Sequence, residues 1–139
     1  MNQLDLTGKR AVVTGGARGM GFAIAERFLK SGAAVSLWDL NAATLRSARD
    51  TLAALGSVDS QTVNVADYES VTAAAAKAVA AMGGVDLLVN SAGIAGVNAP
   101  LSDYPLDSWN AVLDVNLNGV FHTCRALVPE MRKSDYGRI

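Results

Sequence analysis

Short apolar runs alternate with longer amphipathic segments along the chain. Four apolar runs rich in β-branched residues predict buried strands, at residues 10–14, 34–38, 60–65 and 85–90. Four segments with apolar residues at helical spacing predict helices, at residues 21–30, 42–55, 68–82 and 106–133. The last of these helices is expected to break near Asn116. Because apolar strands separated by helices are typical of a parallel sheet covered on both faces, the sequence predicts an α/β fold with a doubly wound parallel sheet.

The composition is that of a globular protein. The chain has 139 residues, of which 50% are hydrophobic and 18% are charged, with 12 Lys and Arg against 13 Asp and Glu. A near-neutral charge without a basic cluster argues against nucleic-acid binding, and no apolar run is long enough to span a bilayer. We therefore expect one domain over residues 1–139, with no nucleic-acid partner and no membrane partner.

The chain has one cysteine, Cys124, and one histidine, His122. A single residue of each type cannot form an internal disulfide or a Cys- or His-based metal site, so no metal is expected. Cys124 is expected to be a small helix residue, and His122 a core or interface residue and not a catalytic one. Residues 1–6 contain no apolar run, so we expect no signal peptide and a reducing, cytoplasmic location.

The segment from Thr14 to Gly21 carries the strongest chemical signal. Gly15, Gly19 and Gly21 lie between a predicted strand and a predicted helix. Residues without a Cβ let the backbone turn sharply and approach a ligand. The helix that begins near Met20 directs its N–H groups and its positive dipole end at the same place, which favours an anion. An ordinary glycine-rich loop is the alternative, but this strand–turn–helix context predicts a turn that binds a nucleotide pyrophosphate.

Asp39 closes the second predicted strand and bears on the choice of cofactor. A carboxylate at that position accepts both hydroxyls of an adenosine ribose and repels a 2′-phosphate, whereas a surface aspartate before a helix is the alternative. Arg18, in the glycine-rich turn, is a candidate ligand for a 2′-phosphate. Because a fixed carboxylate in the ribose pocket outweighs a mobile arginine at its rim, we expect NAD in preference to NADP.

These motifs resemble the N-terminal part of the short-chain dehydrogenase/reductase family. The family's Thr-Gly-x3-Gly-x-Gly pattern matches Thr14 to Gly21 at every fixed position, and its Asn-Asn-Ala-Gly motif corresponds to Asn90-Ser-Ala-Gly93. The resemblance covers essentially the whole chain and implies a Rossmann-like sheet ordered 3-2-1-4-5-6-7, of which about four strands are present. The turn, Asp39 and the resemblance together give the cofactor-binding candidates: Gly15, Arg18, Gly19, Met20, Gly21, Asp39, Asn64, Val65, Asn90, Ala92 and Gly93.

Two motifs of the resemblance concern single side chains. The family's Asp-Val pair that contacts adenine is Asn64-Val65 here, and an asparagine still hydrogen-bonds with the adenine amino edge. The helix motif that carries the family's active-site asparagine matches residues 115–119, which makes Asn116 the one catalytic candidate. A structural role is the alternative for Asn116, since a polar residue in a long helix also satisfies backbone groups or binds a water.

The resemblance implies hydride transfer between a secondary alcohol and a ketone, on a sugar-acid, polyol or 3-oxoacyl substrate. In the family this reaction needs a serine and a Tyr-x-x-x-Lys pair after the asparagine, and residues 117–139 contain no such pair. Residues 136–139 resemble the entry into a fifth strand. We therefore expect a fragment of an enzyme, truncated at that strand and inactive alone, with a non-catalytic nucleotide-binding module or an inactive remnant as alternatives.

The resemblance also bears on association with other chains. Without strands five to seven, the edge of the fourth strand and an apolar helix face are expected to lack partners. That face comprises Trp109, Val112, Leu113, Leu117 and Phe121. The last helix is the family's usual dimer surface, so we expect a dimer or tetramer for the full-length form.

Overall fold

The computed structural model describes residues 4–139; residues 1–3, where the segment expected to lack a signal peptide begins, lie outside the described part. The strands are β1 (Arg10–Thr14), β2 (Ala34–Asp39), β3 (Val58–Thr62) and β4 (Leu87–Asn90). The α-helices are α1 (Gly19–Lys30), α2 (Ala42–Leu52), α3 (Tyr68–Met82), α4 (Leu106–Leu113) and α5 (Gly119–Met131). A 3-10 helix (Leu101–Asp103) precedes α4, and a π-helical turn (Asp114–Asn118) joins α4 to α5.

The four strands form one parallel sheet in the order β3-β2-β1-β4. Alternate residues of β1 point to opposite faces. Val13 packs in the apolar cluster formed with α1 and α2, whereas Val12 packs in the cluster formed with α3 and α5. Both valines are fully buried. Helices therefore cover both faces of the sheet, and the predicted doubly wound, Rossmann-like α/β fold is confirmed.

Side-chain caps define the starts of α2 and α3. The Asn41 side chain accepts hydrogen bonds from the backbone N–H groups of Ala43 and Thr44, at 3.1 and 3.0 Å. Asp67 accepts one from Glu69 at 3.0 Å. These bonds satisfy donors that have no partner within the helix, which explains why helices begin at the predicted places. Among the described residues, no helix has the length and apolar character needed to cross a membrane.

The predicted position of the third strand, residues 60–65, is wrong. β3 runs from Val58 to Thr62 at the edge of the sheet, and the chain leaves the sheet before Val63. Polar residues are tolerated there because Ser36 of β2 donates to Asp59 at 2.6 Å. Val63 N–H still donates to the Asp39 carbonyl at 2.9 Å, but Val63 and Val65 belong to the loop after β3, where both side chains are buried in the core.

The other boundaries differ by a few residues. Helix α1 begins at Gly19 instead of residue 21, α2 ends at Leu52 instead of residue 55, and β4 begins at Leu87 instead of residue 85. The break expected near Asn116 is the π-helical turn. Residues after α5 return to the sheet, where Leu88 N–H donates to the Arg138 carbonyl at 3.0 Å, so a parallel bridge forms along β4.

An ion pair joins the chain just before β4 to the first residue of β1. Asp86 is buried, and its Oδ2 accepts hydrogen bonds from the Arg10 Nε at 2.8 Å and the Arg10 backbone N–H at 3.0 Å. Its Oδ1 accepts one from Arg10 Nη2 at 3.0 Å. These hydrogen bonds from the guanidinium hold the pKa of the Asp86 carboxyl below its usual value, against the opposing effect of burial.

The lowered pKa of Asp86 gives a pH-dependent contribution to stability. The contribution is present above the pKa of the unfolded carboxyl, about 3.9, and is lost as the pH falls through the lower folded value. Asp86→Asn is expected to reduce the free energy of unfolding at pH 7 by about 2 kcal/mol, because Arg10 loses its charged acceptor. Urea unfolding at pH 7 and at about pH 3 measures both effects.

Asp50→Asn is the matched control. Asp50 lies 3.9 Å from Arg49 in an exposed pair, so its loss is expected to change stability by less than about 0.5 kcal/mol. Equal losses in the two variants, or a difference between Asp86→Asn and the unmodified chain that does not shrink in acid, would contradict this assignment.

Candidate nucleotide-binding site

A cleft of about 240 Å³ lies at the carboxyl ends of β1, β2 and β4 and beside the loop that follows β3. The chain runs from β1 to β2 on one side of the sheet and from β3 to β4 on the other, so strand order reverses here. Ligands of doubly wound sheets bind at this kind of switch point. The cleft is lined by Gly15, Arg18, Met20, Trp38, Asp39, Leu40, Val63, Asn64, Val65, Ser91, Ala92, Gly93, Ile94 and Val115.

Most of the predicted cofactor-binding residues line this one cleft. They are Gly15, Arg18, Met20, Asp39, Asn64, Val65, Ala92 and Gly93. Of the others, Gly19 is the first residue of α1, Gly21 lies behind the turn, and Asn90 lies at the end of β4. The sequence thus brings together residues from four separate segments, although their roles as ligands stay predictions.

The turn from β1 into α1 is packed too closely for side chains at two glycines. A Cβ at Gly15 would lie 3.0 Å from the backbone of Ala92, and Gly15 has a positive φ of 63°. A Cβ at Gly21 would overlap the carbonyl oxygen of Gly15. Without these side chains, the first turn of α1 lies close to the end of β1. Backbone atoms therefore form this part of the rim of the cleft.

The start of α1 fits an anionic group. Arg18 occupies the N-cap position, the first turn has no acidic residue, and no side chain among the described residues caps it. The N–H groups of the first turn and the positive end of the helix dipole are therefore directed at the cleft, and no carboxylate within the helix neutralises them. A nucleotide pyrophosphate satisfies both.

Asp39 is held in place on the other side of the turn. Its Oδ2 accepts a hydrogen bond from the Ala17 N–H at 3.2 Å, and its Oδ1 accepts one from the Asn41 N–H at 3.2 Å. Each carboxylate oxygen keeps a lone pair for a further donor, such as a ribose hydroxyl. Arg18 also lines the cleft, but its side chain is exposed at the rim.

Thr14 shapes the opposite wall, a role that the sequence analysis missed. Its buried hydroxyl oxygen accepts hydrogen bonds from the N–H groups of Ser91 and Ala92, both at 3.1 Å. These bonds fix the loop after β4 against the end of β1, where it contacts Gly15. The available signal was a hydroxyl at the end of a mostly apolar strand, at the first fixed position of the glycine pattern.

Asn90 faces the helix layer. Its Oδ1 accepts a hydrogen bond from the Thr123 hydroxyl at 2.6 Å, and its Nδ2 lies 3.8 Å from the Cys124 sulfur. The carboxamide therefore fastens α5 to β4. Of the three cofactor-binding candidates in this motif, Ala92 and Gly93 line the cleft, whereas Asn90 does not.

The loop after β3 supplies the adenine-side candidates. Asn64 N–H donates to the Ser70 hydroxyl at 3.0 Å, and Asn64 Oδ1 accepts from the Ala66 N–H at 3.1 Å. This arrangement leaves the Asn64 Nδ2 as a donor toward a ligand. Val65 is buried beside it and presents apolar surface to the cleft.

Asn116 lies in the π-helical turn and reaches the loop after β4. Its Oδ1 accepts from the Ile94 N–H, and its Nδ2 donates to the Ile94 carbonyl, both at 2.9 Å. The wider π-helical turn places this side chain against the loop after β4. Asn116 therefore has a structural role of the kind that the sequence analysis gave as the alternative, although the backbone groups that it satisfies belong to another segment and not to its own helix. Its catalytic role stays a prediction.

Several other cleft residues escaped the sequence analysis. They are Trp38, Leu40, Val63, Ser91, Ile94 and Val115. Most of these side chains are apolar, so their residue types carried no separate signal of cofactor binding. Among the described residues, no group of three or more His, Cys, Asp or Glu side chains could hold a metal ion.

Two relatives with assigned names show the range of similar proteins. A 2-dehydro-3-deoxy-L-rhamnonate dehydrogenase (NAD(+)) of Sphingomonas sp. strain SKA58 is 44% identical over 132 residues, which are 95% of this chain and 52% of that protein. A 3-oxoacyl-acyl-carrier-protein reductase of Chlamydia muridarum is 38% identical over 141 residues, covering 100% of this chain and 56% of that protein. The chain spans about half the length of the curated relatives it matches.

Solved structures agree with the fold. NAD+-bound xylitol dehydrogenase superposes with a TM-score of 0.93 at 34% identity, over 96% of this chain and 52% of that one. L-sorbose reductase from Gluconobacter frateurii, complexed with NADPH and L-sorbose, gives a TM-score of 0.88 at 33% identity, over 95% and 51%. Similar proteins thus include both NAD-bound and NADPH-bound enzymes.

The family described as short chain dehydrogenase matches residues 9–139, which include every element of the fold and every residue of the cleft. Its members named above are dehydrogenases and reductases that match nearly all of this sequence. The chain belongs to the short-chain dehydrogenase family.

Proposed function

We propose that these residues form the single dinucleotide-binding domain of an NAD-dependent oxidoreductase that interconverts a secondary alcohol and a ketone. One observation carries the proposal: two features face the same cleft at the strand switch point. The first is the start of α1, which has no acidic residue and no side-chain cap, and the second is the fixed carboxylate of Asp39. This pair matches the two anchor points of an adenosine diphosphate, its pyrophosphate and its ribose.

Each part of the cleft has a role in this proposal. The backbone N–H groups of Gly19, Met20 and Gly21 hold the pyrophosphate, and Asp39 accepts the ribose hydroxyls. Asn64 and Val65 contact the adenine, and Ala92 and Gly93 line the path toward Asn116. The nicotinamide, when bound, supplies the hydride acceptor or donor. Apolar side chains such as Ile94 and Val115 exclude water from that end.

The preference for NAD follows from the position of Asp39. The carboxylate is tied to the backbone at Ala17 and Asn41, so it cannot turn away from a 2′-phosphate without losing both hydrogen bonds. Arg18 is exposed at the rim and compensates this repulsion only in part. Since a relative of similar fold is complexed with NADPH, the preference has to be measured for this chain.

Asp39→Ala is expected to weaken NAD binding about tenfold, because the carboxylate that accepts the ribose hydroxyls is lost. It is also expected to reduce the difference in affinity between NAD and NADP, because the same carboxylate no longer repels the 2′-phosphate. Separate calorimetric titrations with NAD and NADP measure this change. Asp50→Ala, an exposed carboxylate on α2 outside the cleft, is the control and should change neither affinity. Tighter binding of NADP than NAD by the unmodified protein would contradict the cofactor assignment.

Catalysis needs groups beyond those in these residues. Within residues 4–139 the cleft adjoins one catalytic candidate, Asn116, whose carboxamide cannot take a proton from an alcohol. We expect residues 1–139 alone to bind nucleotide without transferring hydride. A spectroscopic assay of NADH formation compares them with the whole protein. Turnover by these residues alone would contradict this expectation, and binding without turnover by the whole protein would favour a non-catalytic nucleotide-binding module.

The substrate class is proposed from similarity. A sugar acid or a polyol is favoured over a 3-oxoacyl thioester, because the 44% identical relative is named for a sugar acid and a solved relative for xylitol. Residues 94–101 form the substrate-side segment, which is mostly exposed and whose first residue, Ile94, contacts Asn116. Measuring kcat/KM of the whole protein on members of each class tests the order, and a preference for 3-oxoacyl thioesters would reverse it.

Asn116→Ala is expected to lower the free energy of unfolding by about 1–2 kcal/mol, since the backbone of Ile94 loses two partners. In the whole protein it is expected to lower kcat by about 10- to 100-fold, because the loop beside the reacting atoms shifts. Asn118→Ala is the matched control. Asn118 lies in the same π-helical turn but bonds only with Asp114 among the described residues. If both variants keep full kcat, Asn116 has no catalytic part.

Two further proposals concern the setting of the whole protein. Trp109, Leu117 and Phe121 are 52%, 63% and 59% exposed along α4, the π-helical turn and α5. This apolar face supports a homo-oligomer, either a dimer or a tetramer. Analytical ultracentrifugation of the whole protein tests this proposal, and a monomeric species would contradict it.

The unpaired Cys124 supports a cytoplasmic location, which cell fractionation tests.

A further inference from the structure

His122 on α5 forms a hydrogen bond with the loop that follows β3. Its Nδ1 lies 2.8 Å from the carbonyl oxygen of Val65, 57 residues away in sequence. A carbonyl oxygen only accepts, so Nδ1 must carry the hydrogen. The ring is half-buried, as expected for a core or interface residue, but the segment that it contacts could not be predicted from the sequence.

The same face of α5 contacts the side chain of Val65. A Cβ at Gly119 would come within 2.8 Å of Val65 Cγ2, so α5 and this loop approach closely at that point. Val65 is 8% exposed, and its remaining surface lines the cleft. Backbone and side chain of Val65 are therefore both fixed by one turn of α5.

Aromatic contacts restrict the orientation of the His122 ring. Its centroid lies 5.5 Å from that of Tyr68, the first residue of α3. The Arg125 guanidinium also lies over the Tyr68 ring, 4.9 Å from its centroid. These contacts reduce the number of orientations open to the imidazole while its Nδ1 donates to Val65.

The hydrogen bond of His122 has a counterpart at a second part of the cleft. Asn116, in the π-helical turn that leads directly into α5, holds the backbone of Ile94, which also lines the cleft. One continuous segment of the chain therefore fixes two lining residues, Ile94 through Asn116 and Val65 through His122. The placement of these two residues relative to each other depends on this segment.

We propose that His122 is a positioning residue for the adenine side of the cleft. Through the Val65 carbonyl it holds the loop of residues 63–66 at the distance from Ile94 that an adenine ring fits. Without this donor the carbonyl turns to water and the loop samples more positions, so a ligand must order it on binding. The inference rests on the proposed nucleotide function, and it assigns no contact between His122 and the ligand.

The test is calorimetric titration of the protein with AMP, which carries only the adenine half of the cofactor. His122→Leu removes the donor and is expected to weaken AMP binding about three- to tenfold. His122→Asn places an amide N–H near the position of Nδ1 and is expected to restore binding to within about twofold. Glu130→Gln removes the ion pair with Lys133 near the end of α5 and makes no contact with His122 or Val65 among the described hydrogen bonds, so it is expected to leave the affinity unchanged.

Thermal unfolding of all three variants controls for general loss of structure. Three results would overturn the inference: unchanged AMP affinity in His122→Leu, an equal loss in His122→Asn, or an equal loss in Glu130→Gln. In each case the unmodified protein still binds AMP, so the proposed nucleotide function stands. Failure of the unmodified protein to bind AMP or NAD would overturn both.

Discussion

The carbonyl oxygen of Gly15 leaves no room for a side chain at residue 21, and the placement of α1 depends on that contact. Only a glycine lets the first turn of the helix lie against the end of β1. Because α1 lies there, its N-terminal dipole points into the switch point between β1 and β4, and the N–H of Ala17 reaches Asp39. The proposed anion site and the placement of Asp39, the proposed ribose ligand, therefore depend on one steric constraint.

The remaining walls are held by polar groups that lie beneath the cleft or beside it. Thr14 fixes the loop after β4, and Asn90 fastens α5 to β4 through Thr123. The π-helical turn then directs Asn116 to Ile94, and α5 directs His122 to Val65. In this arrangement backbone groups and apolar side chains form most of the lining of the cleft. Polar side chains beneath or beside the cleft set the spacing between the segments that line it. Such preorganisation lowers the entropy that binding must overcome.

Local signals predicted much of this structure. The β-branched run of β1, the starts of α2 and α3, and the break near Asn116 each depend on neighbouring residues, so they were visible in the sequence. The position of β3 was wrong because its pairing with β2 depends on a contact between Ser36 and Asp59, 23 residues apart. The contact of His122 could not be predicted for the same reason, since it requires the position of the loop after β3 relative to α5. The direction of the Asn90 carboxamide likewise depends on how α5 packs on the sheet.

The central claim is that the glycine-rich turn and Asp39 together hold the adenosine diphosphate part of NAD. A crystal structure of the protein with NAD+ tests it most directly. The account predicts both ribose hydroxyls within hydrogen-bond distance of the Asp39 carboxylate and the pyrophosphate against the N–H groups of residues 19–21. An adenosine bound elsewhere, or one whose ribose makes no contact with Asp39, would contradict it.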